Sequence, residues 1–386
     1  MRKKPIQRLQ LISIAVALAL LASLLSTPAE GSDAAAPLDR GEGDFLTRVQ
    51  RLTYEGRRAG EGYFSPDGTK LVFQSEREEG NPFYQIYLLD LTTGDTKRIS
   101  PGTGKTTCPF IRPGSDDILF GSTHLDPETE RYQRAELEFR ASGKQRRYSW
   151  DYDPSMDIWV AHGDTGELTR VTTEHGYDAE ASYSPNGEWI VYTSMRDAYE
   201  RELTDEEKKI LEVNPSYFGE LYIMRADGSE KRRLTKVPGY DGGPFFSTDG
   251  KRVVWRRFSE DGLTADVYTV MTDGTDEKRI TDFGSLSWAP YEHPSGEYIL
   301  FASNKLGFSN FEIFMVDTEG TKEPVRITFT DGFDGLPVPS PDGKTLIWTS
   351  SRHGEGGQLY RAAWHHDRAL EALAASPLRG GETWAK

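Results

Sequence analysis

The chain of 386 residues carries 46 basic and 61 acidic side chains, a formal net charge of -15, with 36% hydrophobic and 11% aromatic residues. A surface this acidic repels phosphate backbones and anionic lipid, which argues against nucleic acid and membrane surfaces as partners. The single cysteine, Cys108, excludes an internal disulfide framework, so packing alone must hold the fold.

In chain order, Arg2, Lys3, Lys4 and Arg8 precede the apolar run 9–25, and Thr27, Pro28 and Ala29 supply the small residues of a cleavage region. This pattern predicts a secretory signal peptide over 1–29, a linker over 30–43, and a mature protein that is periplasmic or secreted. An uncleaved anchor is the alternative, because the apolar run sits at the lower length limit for a membrane span. No cysteine lies near the cleavage region, which argues against a lipoprotein. Removing the four leader cations takes the net charge to about -19, and no membrane insertion is expected after cleavage.

Beyond residue 44 an Arg-apolar-Thr/Ser triplet ends at Thr53, Ser100, Thr172, Thr235, Thr281 and Thr328. Thirteen residues after each stands the proline, or its substitute, of a Pro-Asp-Gly-like turn: Pro66, Pro113, Pro185, Thr248, Pro294 and Pro341. Six copies at a fixed offset require one shared backbone geometry, hence six copies of one supersecondary unit. After each turn comes an alternating strand such as 71–73, 190–192, 253–255 or 346–348. A second strand carries an aromatic at a fixed place: Tyr87, Trp159, Tyr222, Tyr268, Phe314 and Tyr360. A Gly-containing turn then leads into the strand that bears the triplet. Proline presets φ, Asp tolerates the next position and Gly supplies φ > 0, which is hairpin chemistry. Four strands in each of six units predict an all-β fold, a six-bladed β-propeller of four-stranded antiparallel blades over 44–366. The first triplet precedes any complete blade, and the last blade ends at 358–363 without one. Segment 45–52 is therefore expected as the outer strand of blade six, closing the ring. An open sandwich is the alternative, but sandwiches do not keep such a register.

Turn-to-turn spacings of 47, 72, 63, 46 and 47 residues place insertions in blades two and three, at about 125–152 and 197–218. In the second, Thr204 followed by Glu207 predicts a capping box that opens a short helix through Leu211. Both insertions lie between the second and third strands of their blades, so they share a face with the loops entering the innermost strands. Three of those loops read Gly-aromatic-Asp, with Tyr177 and Asp178, Tyr240 and Asp241, and Phe333 and Asp334, while Arg58 and Lys105 stand just before the matching position in blades one and two. These eight residues are the candidates for ligand or partner binding at the channel mouth, acidic on one side and basic on the other. Three carboxylates converging on an axis could hold a divalent cation or an ammonium group; each could as easily cap backbone N–H groups in its own blade.

No nucleophile elbow, His-Glu-x-x-His pair, phosphate loop or Cys-x-x-Cys is present, so no catalytic residue is assigned, and no cofactor beyond that cation is expected. Cys108, on the innermost strand of blade two, reads as a buried small hydrophobe. His293 replaces Ser before a turn proline, and it reads, like His365 and His366, as a packing or surface histidine. The tail 367–386 has helical spacing over 367–373.

The runs 245–255 and 338–348 resemble the WD-like repeat of the TolB propeller family, and the resemblance extends over about 45–364. It implies the propeller fold and a binding role, since in that family the propeller binds a peptidoglycan-associated lipoprotein across its mouth. The family's separate α/β domain has no counterpart in the short stretch between the expected leader and the first strand. Segments 288–294 and 303–308 also resemble propellers that precede zinc aminopeptidase domains, while only about twenty residues follow His366, too few for a peptidase. The expectation is an exported, non-catalytic propeller that binds or scaffolds an envelope protein or peptide through the face with the insertions. The alternative is a hydrolase or lyase with its site at the channel mouth.

Overall fold

A computed structural model describes residues 41–144, 152–354 and 356–380. The expected signal peptide, most of the linker, residues 145–151 of the blade two insertion and the end of the tail lie outside the described residues.

Strand β1 (Leu46–Arg51) is followed by blade one, with β2 (Arg58–Phe64), β3 (Lys70–Glu76), β4 (Gln85–Asp90) and β5 (Thr96–Arg98). Blade two holds β6 (Thr106–Ile111), β7 (Ile118–Ser122), β8 (Asp157–Ala161) and β9 (Leu168–Arg170). Blade three holds β10 (Asp178–Tyr183), β11 (Trp189–Ser194), β12 (Glu220–Arg225) and β13 (Arg232–Arg233). Blade four holds β14 (Asp241–Phe246), β15 (Arg252–Phe258), β16 (Ala265–Met271) and β17 (Lys278–Arg279). Blade five holds β18 (Ser287–Glu292), β19 (Tyr298–Ser303), β20 (Glu312–Asp317) and β21 (Val325–Arg326). The last three strands are β22 (Asp334–Pro339), β23 (Thr345–Ser350) and β24 (Gln358–Trp364). β1 completes their sheet, pairing antiparallel with β24 so that Leu46 faces Trp364 and Arg51 faces Tyr360. The result is a six-bladed propeller of four-stranded antiparallel sheets.

The blades are held by a repeated aromatic pair. An aromatic in the middle of each second strand stands directly opposite the aromatic of the third strand: Phe73 and Tyr87, Phe120 and Trp159, Tyr192 and Tyr222, Trp255 and Tyr268, Phe301 and Phe314, Trp348 and Tyr360. The six second-strand aromatics are essentially wholly buried. Such cross-strand pairs add about 0.5–1.5 kcal/mol each beyond their burial.

The triplet recurs because of what its side chains hold. In blades two to five its threonine accepts from a backbone N–H of the third strand and donates to the acid that opens that strand. Thr172 joins Ile158 to Asp157, Thr235 joins Leu221 to Glu220, Thr281 joins Val267 to Asp266, and Thr328 joins Ile313 to Glu312, all at 2.6–3.2 Å. The triplet arginine of each blade pairs with the same acid. In blades one and six Gln85 and Gln358 replace the acid, and Ser100 and Thr53 make the same bridge. In the turns, Ser65, Ser184, Ser247 and Ser340 each donate to the Asp or Asn two residues on, and Gly68 takes φ +71° where the chain reverses. Thr248, standing in a proline's place, uses its freed N–H and its hydroxyl to reach Glu292 of the next blade.

The blade two insertion carries α1 (Thr129–Ala141), and the blade three insertion carries α2 (Asp197–Glu200) and α3 (Asp205–Val213). Both arms of the expected capping box are formed, Glu207 N–H to Thr204 Oγ1 at 3.2 Å and Thr204 N–H to Glu207 Oε2 at 2.8 Å. In the tail, α4 (His366–Ala375) buries Ala369, Ala372 and Leu373 against Tyr298, Leu300 and Trp364.

Candidate functional site at the channel mouth

Asp178, Asp241 and Asp334 open the innermost strands of blades three, four and six, and all are buried. Each is taken by an arginine of its own blade. Arg196 Nη2 lies 2.9 Å from Asp178, Arg257 grips Asp241 with two bonds of 2.7 and 2.8 Å, and Arg352 Nη2 lies 2.8 Å from Asp334. The same arginines sit over the aromatic pairs of their blades, Arg196 on Tyr192 and Tyr222, Arg257 on Trp255 and Tyr268, Arg352 on Trp348 and Tyr360. Burial pushes the Asp178 carboxyl up to about 7 against the pull of Arg196, and raises Asp241 and Asp334 as well. The three carboxylates are thus engaged locally, with arginine rather than backbone N–H as the partner. Among the described residues no three His, Cys, Asp or Glu side chains form a set able to hold a metal ion.

The expected basic residues are paired too. Arg58 Nε lies 2.7 Å from Glu76, which also receives Arg140, and Lys105 lies 2.7 Å from Asp153. Of the three aromatics, Tyr177 and Tyr240 meet on one acceptor, whereas Phe333 packs apart with Phe311 and Trp288.

That acceptor is Glu180, and it belongs to a set of residues two positions deeper in the channel. Each innermost strand slips register there, leaving Glu61, Cys108, Glu180, Gly243, Ala289 and Leu336 at φ between 50 and 60°. A bulge of this kind re-aims a side chain out of the ladder. Glu180 accepts from Tyr177 at 3.3 Å, from Tyr240, and from Arg256 Nη2 at 2.8 Å, the arginine reaching over from β15. A Cβ at Gly243 would stand 2.1 Å from Arg256 Nη1, so only glycine leaves room for the guanidinium. Glu61 accepts from Gln74 at 2.7 Å and Tyr63 at 3.2 Å, and forms no ion pair among the described residues. Burial, with Glu180 adding to it, pushes the Glu61 carboxyl up to about 7. Burial and both carboxylates drive the Cys108 thiol well above its ordinary value, which keeps it protonated. Two residues further in, Tyr63, Phe110, Phe245 and Tyr291 meet ring to ring at 4.9–6.2 Å, blade one touching blade four across the axis. They form an aromatic floor beneath a small polar chamber.

The loops of the mouth face carry exposed apolar side chains. Apart from Val49 and Leu378, every exposed large apolar residue among the described ones lies in the loops of this one face. The blade two insertion gives Leu125, Tyr132 and Leu137, and the blade three insertion gives Tyr199 and Val213. The matching loops of blades four and five give Leu263, Leu306 and Phe308, and the loops entering innermost strands give Tyr54, Val237 and Phe329. Val213 and Phe308 are 83% and 77% exposed.

Fold and mouth together define a six-bladed β-propeller, and comparison with known proteins agrees at that level. No family model matches the chain. An uncharacterized protein of Agrobacterium fabrum is 28% identical over 239 residues, 56% of this chain and 72% of that protein. A TolB-type structure from Agrobacterium tumefaciens superposes with a TM-score of 0.55 at 19% identity, covering 82% of this chain and 97% of the other. TolB from Acinetobacter baumannii gives 0.53 at 18% identity, covering 84% of this chain and 64% of the other. Oligogalacturonate lyase from Vibrio parahaemolyticus gives 0.50 at 14% identity, over 82% and 93% of the two chains. These structural likenesses are of fold, and they include TolB proteins and a lyase. No helix among the described residues is long and apolar enough to cross a membrane.

Proposed function

We propose that this protein is an exported, non-catalytic binding module whose partner, an envelope protein or a peptide segment of one, docks on the face that carries the blade two and blade three insertions. The observation that carries this reading is that nearly all exposed large apolar side chains among the described residues lie in the loops of that face. Apolar groups rimmed by charge are the ordinary composition of a protein-binding surface. Export is part of the proposal and rests on the leader-like sequence of residues 1–29.

The test is affinity capture from envelope extract by the mature chain, compared with Leu263→Ser and Phe308→Ser variants, which change only exposed positions. The expected result is one recovered protein whose yield falls with both variants while their melting temperatures stay unchanged. Recovery that ignores both substitutions sinks the reading. A hydrolase or lyase is the second reading, and one observation favours it: Glu61 sits beside Arg256 with its carboxyl pushed into the range of a general acid or base.

A further inference from the structure

The chamber between the mouth and the aromatic floor carries an unbalanced charge. It holds two carboxylates, Glu61 and Glu180, and one guanidinium, Arg256, each residue no more than 8% exposed. Glu180 is satisfied, taking Arg256 and two tyrosine hydroxyls. Glu61 takes neutral donors, Gln74, Tyr63 and the Cys108 thiol, and no cation pairs with it among the described residues. Arg256 in turn keeps a buried Nε–H with no hydrogen-bond partner. Buried charges are ordinarily paired and buried donors ordinarily satisfied, so the chamber lacks one cationic donor and one acceptor.

We propose that the chamber receives the free N-terminus of an extended peptide, its ammonium donating to Glu61 and its first carbonyl oxygen accepting from the Nε–H of Arg256. A lysine ammonium supplies the charge but no neighbouring acceptor. A C-terminal carboxylate supplies the acceptor but faces two carboxylates. The aromatic floor of Tyr63, Phe110, Phe245 and Tyr291 stops a chain from passing through, which suits a chain end rather than a chain middle. This inference rests on the proposal that the face binds peptide.

The test uses a randomised octapeptide pool with a C-terminal biotin, prepared with free and with acetylated N-termini, and captured by the purified protein. Wild type is expected to retain the free pool roughly tenfold or more over the acetylated one, the scale of a lost charge-assisted hydrogen bond in a buried site. Glu61→Gln, which keeps size and neutral hydrogen bonding, and Arg256→Lys, which keeps the charge, are each expected to erase the preference. Equal retention of both pools overturns the chamber proposal while leaving a peptide-binding face standing. Retention of acetylated peptides selected for lysine overturns it in favour of side-chain ammonium. Retention of neither pool at any concentration overturns both.

Discussion

Arg256 of blade four reaches across the blade boundary to Glu180 of blade three, Nη2 to Oε2 at 2.8 Å, with both side chains at least nine-tenths buried. Removing one partner of such a pair strands the other charge in a poorly solvated site. Arg256→Ala is expected to lower stability by about 3–5 kcal/mol, while the double variant Glu180→Gln, Arg256→Ala loses clearly less than the two single losses combined. Chemical denaturation of the four proteins checks this.

The Glu61 carboxyl is pushed from an ordinary 4.5 up to about 7 by burial. The folded state therefore holds this proton more tightly than the unfolded chain. The contribution is fully present below about pH 4.5 and is lost as pH rises through about 7. Glu61→Gln is expected to match wild type near pH 4.5 and to exceed it above pH 8 by at most about 3 kcal/mol, read from melting curves across that range.

His293 behaves with the opposite slope. It stacks on Tyr298 and on His366 at the start of α4, and burial, with His366 adding to it, lowers its imidazole to about 4. The unfolded chain then takes the proton first. Stability from this group is intact above pH 6.5 and is lost as pH falls towards 4. His293→Ser, which installs the serine found in four of the other turns, is expected to flatten the acid side of the stability profile.

Asp241→Asn is expected to weaken the fold rather than to remove a ligand contact alone, because Arg257 binds Asp241 bidentately within one blade. A loss of about 2–4 kcal/mol, measured by denaturation, fits that role. An unchanged denaturation midpoint contradicts it.

The triplet threonines make one bond pattern four times over, so Thr172→Val, Thr235→Val, Thr281→Val and Thr328→Val are expected to cost similar amounts, about 1–3 kcal/mol each. Each leaves a backbone N–H of the third strand without its acceptor. A wide spread among the four melting temperatures contradicts the shared role.

These cases show why the fold was legible and the chamber was not. The triplet and the turn need the same residue types in every blade, because each copy makes the same bonds, and so they repeat visibly. The bulge positions share a backbone conformation but not a side chain: Glu61, Cys108, Glu180, Gly243, Ala289 and Leu336 show no common chemistry in a sequence. The available signal was a departure from the repeat. Arg256 stands where the other second strands carry Gln74, Gly121, Thr193, Ala302 and Thr349, a charge at a position that faces inward. The Asp residues, expected in the loops before the innermost strands, open those strands instead, and their arginine partners are not among the expected site residues. Arg196, Arg257 and Arg352 follow their aspartates by 18, 16 and 18 residues, a spacing as regular as the motif itself.

The pairing of β1 with β24 also sets an order of events in time. Leu46 waits for Trp364, more than three hundred residues later, before β1 has its neighbour. Contacts so far apart in sequence are the slowest to form. While the chain is being made, β1 has an open edge, and a foreign strand is a competitor for it until β24 arrives.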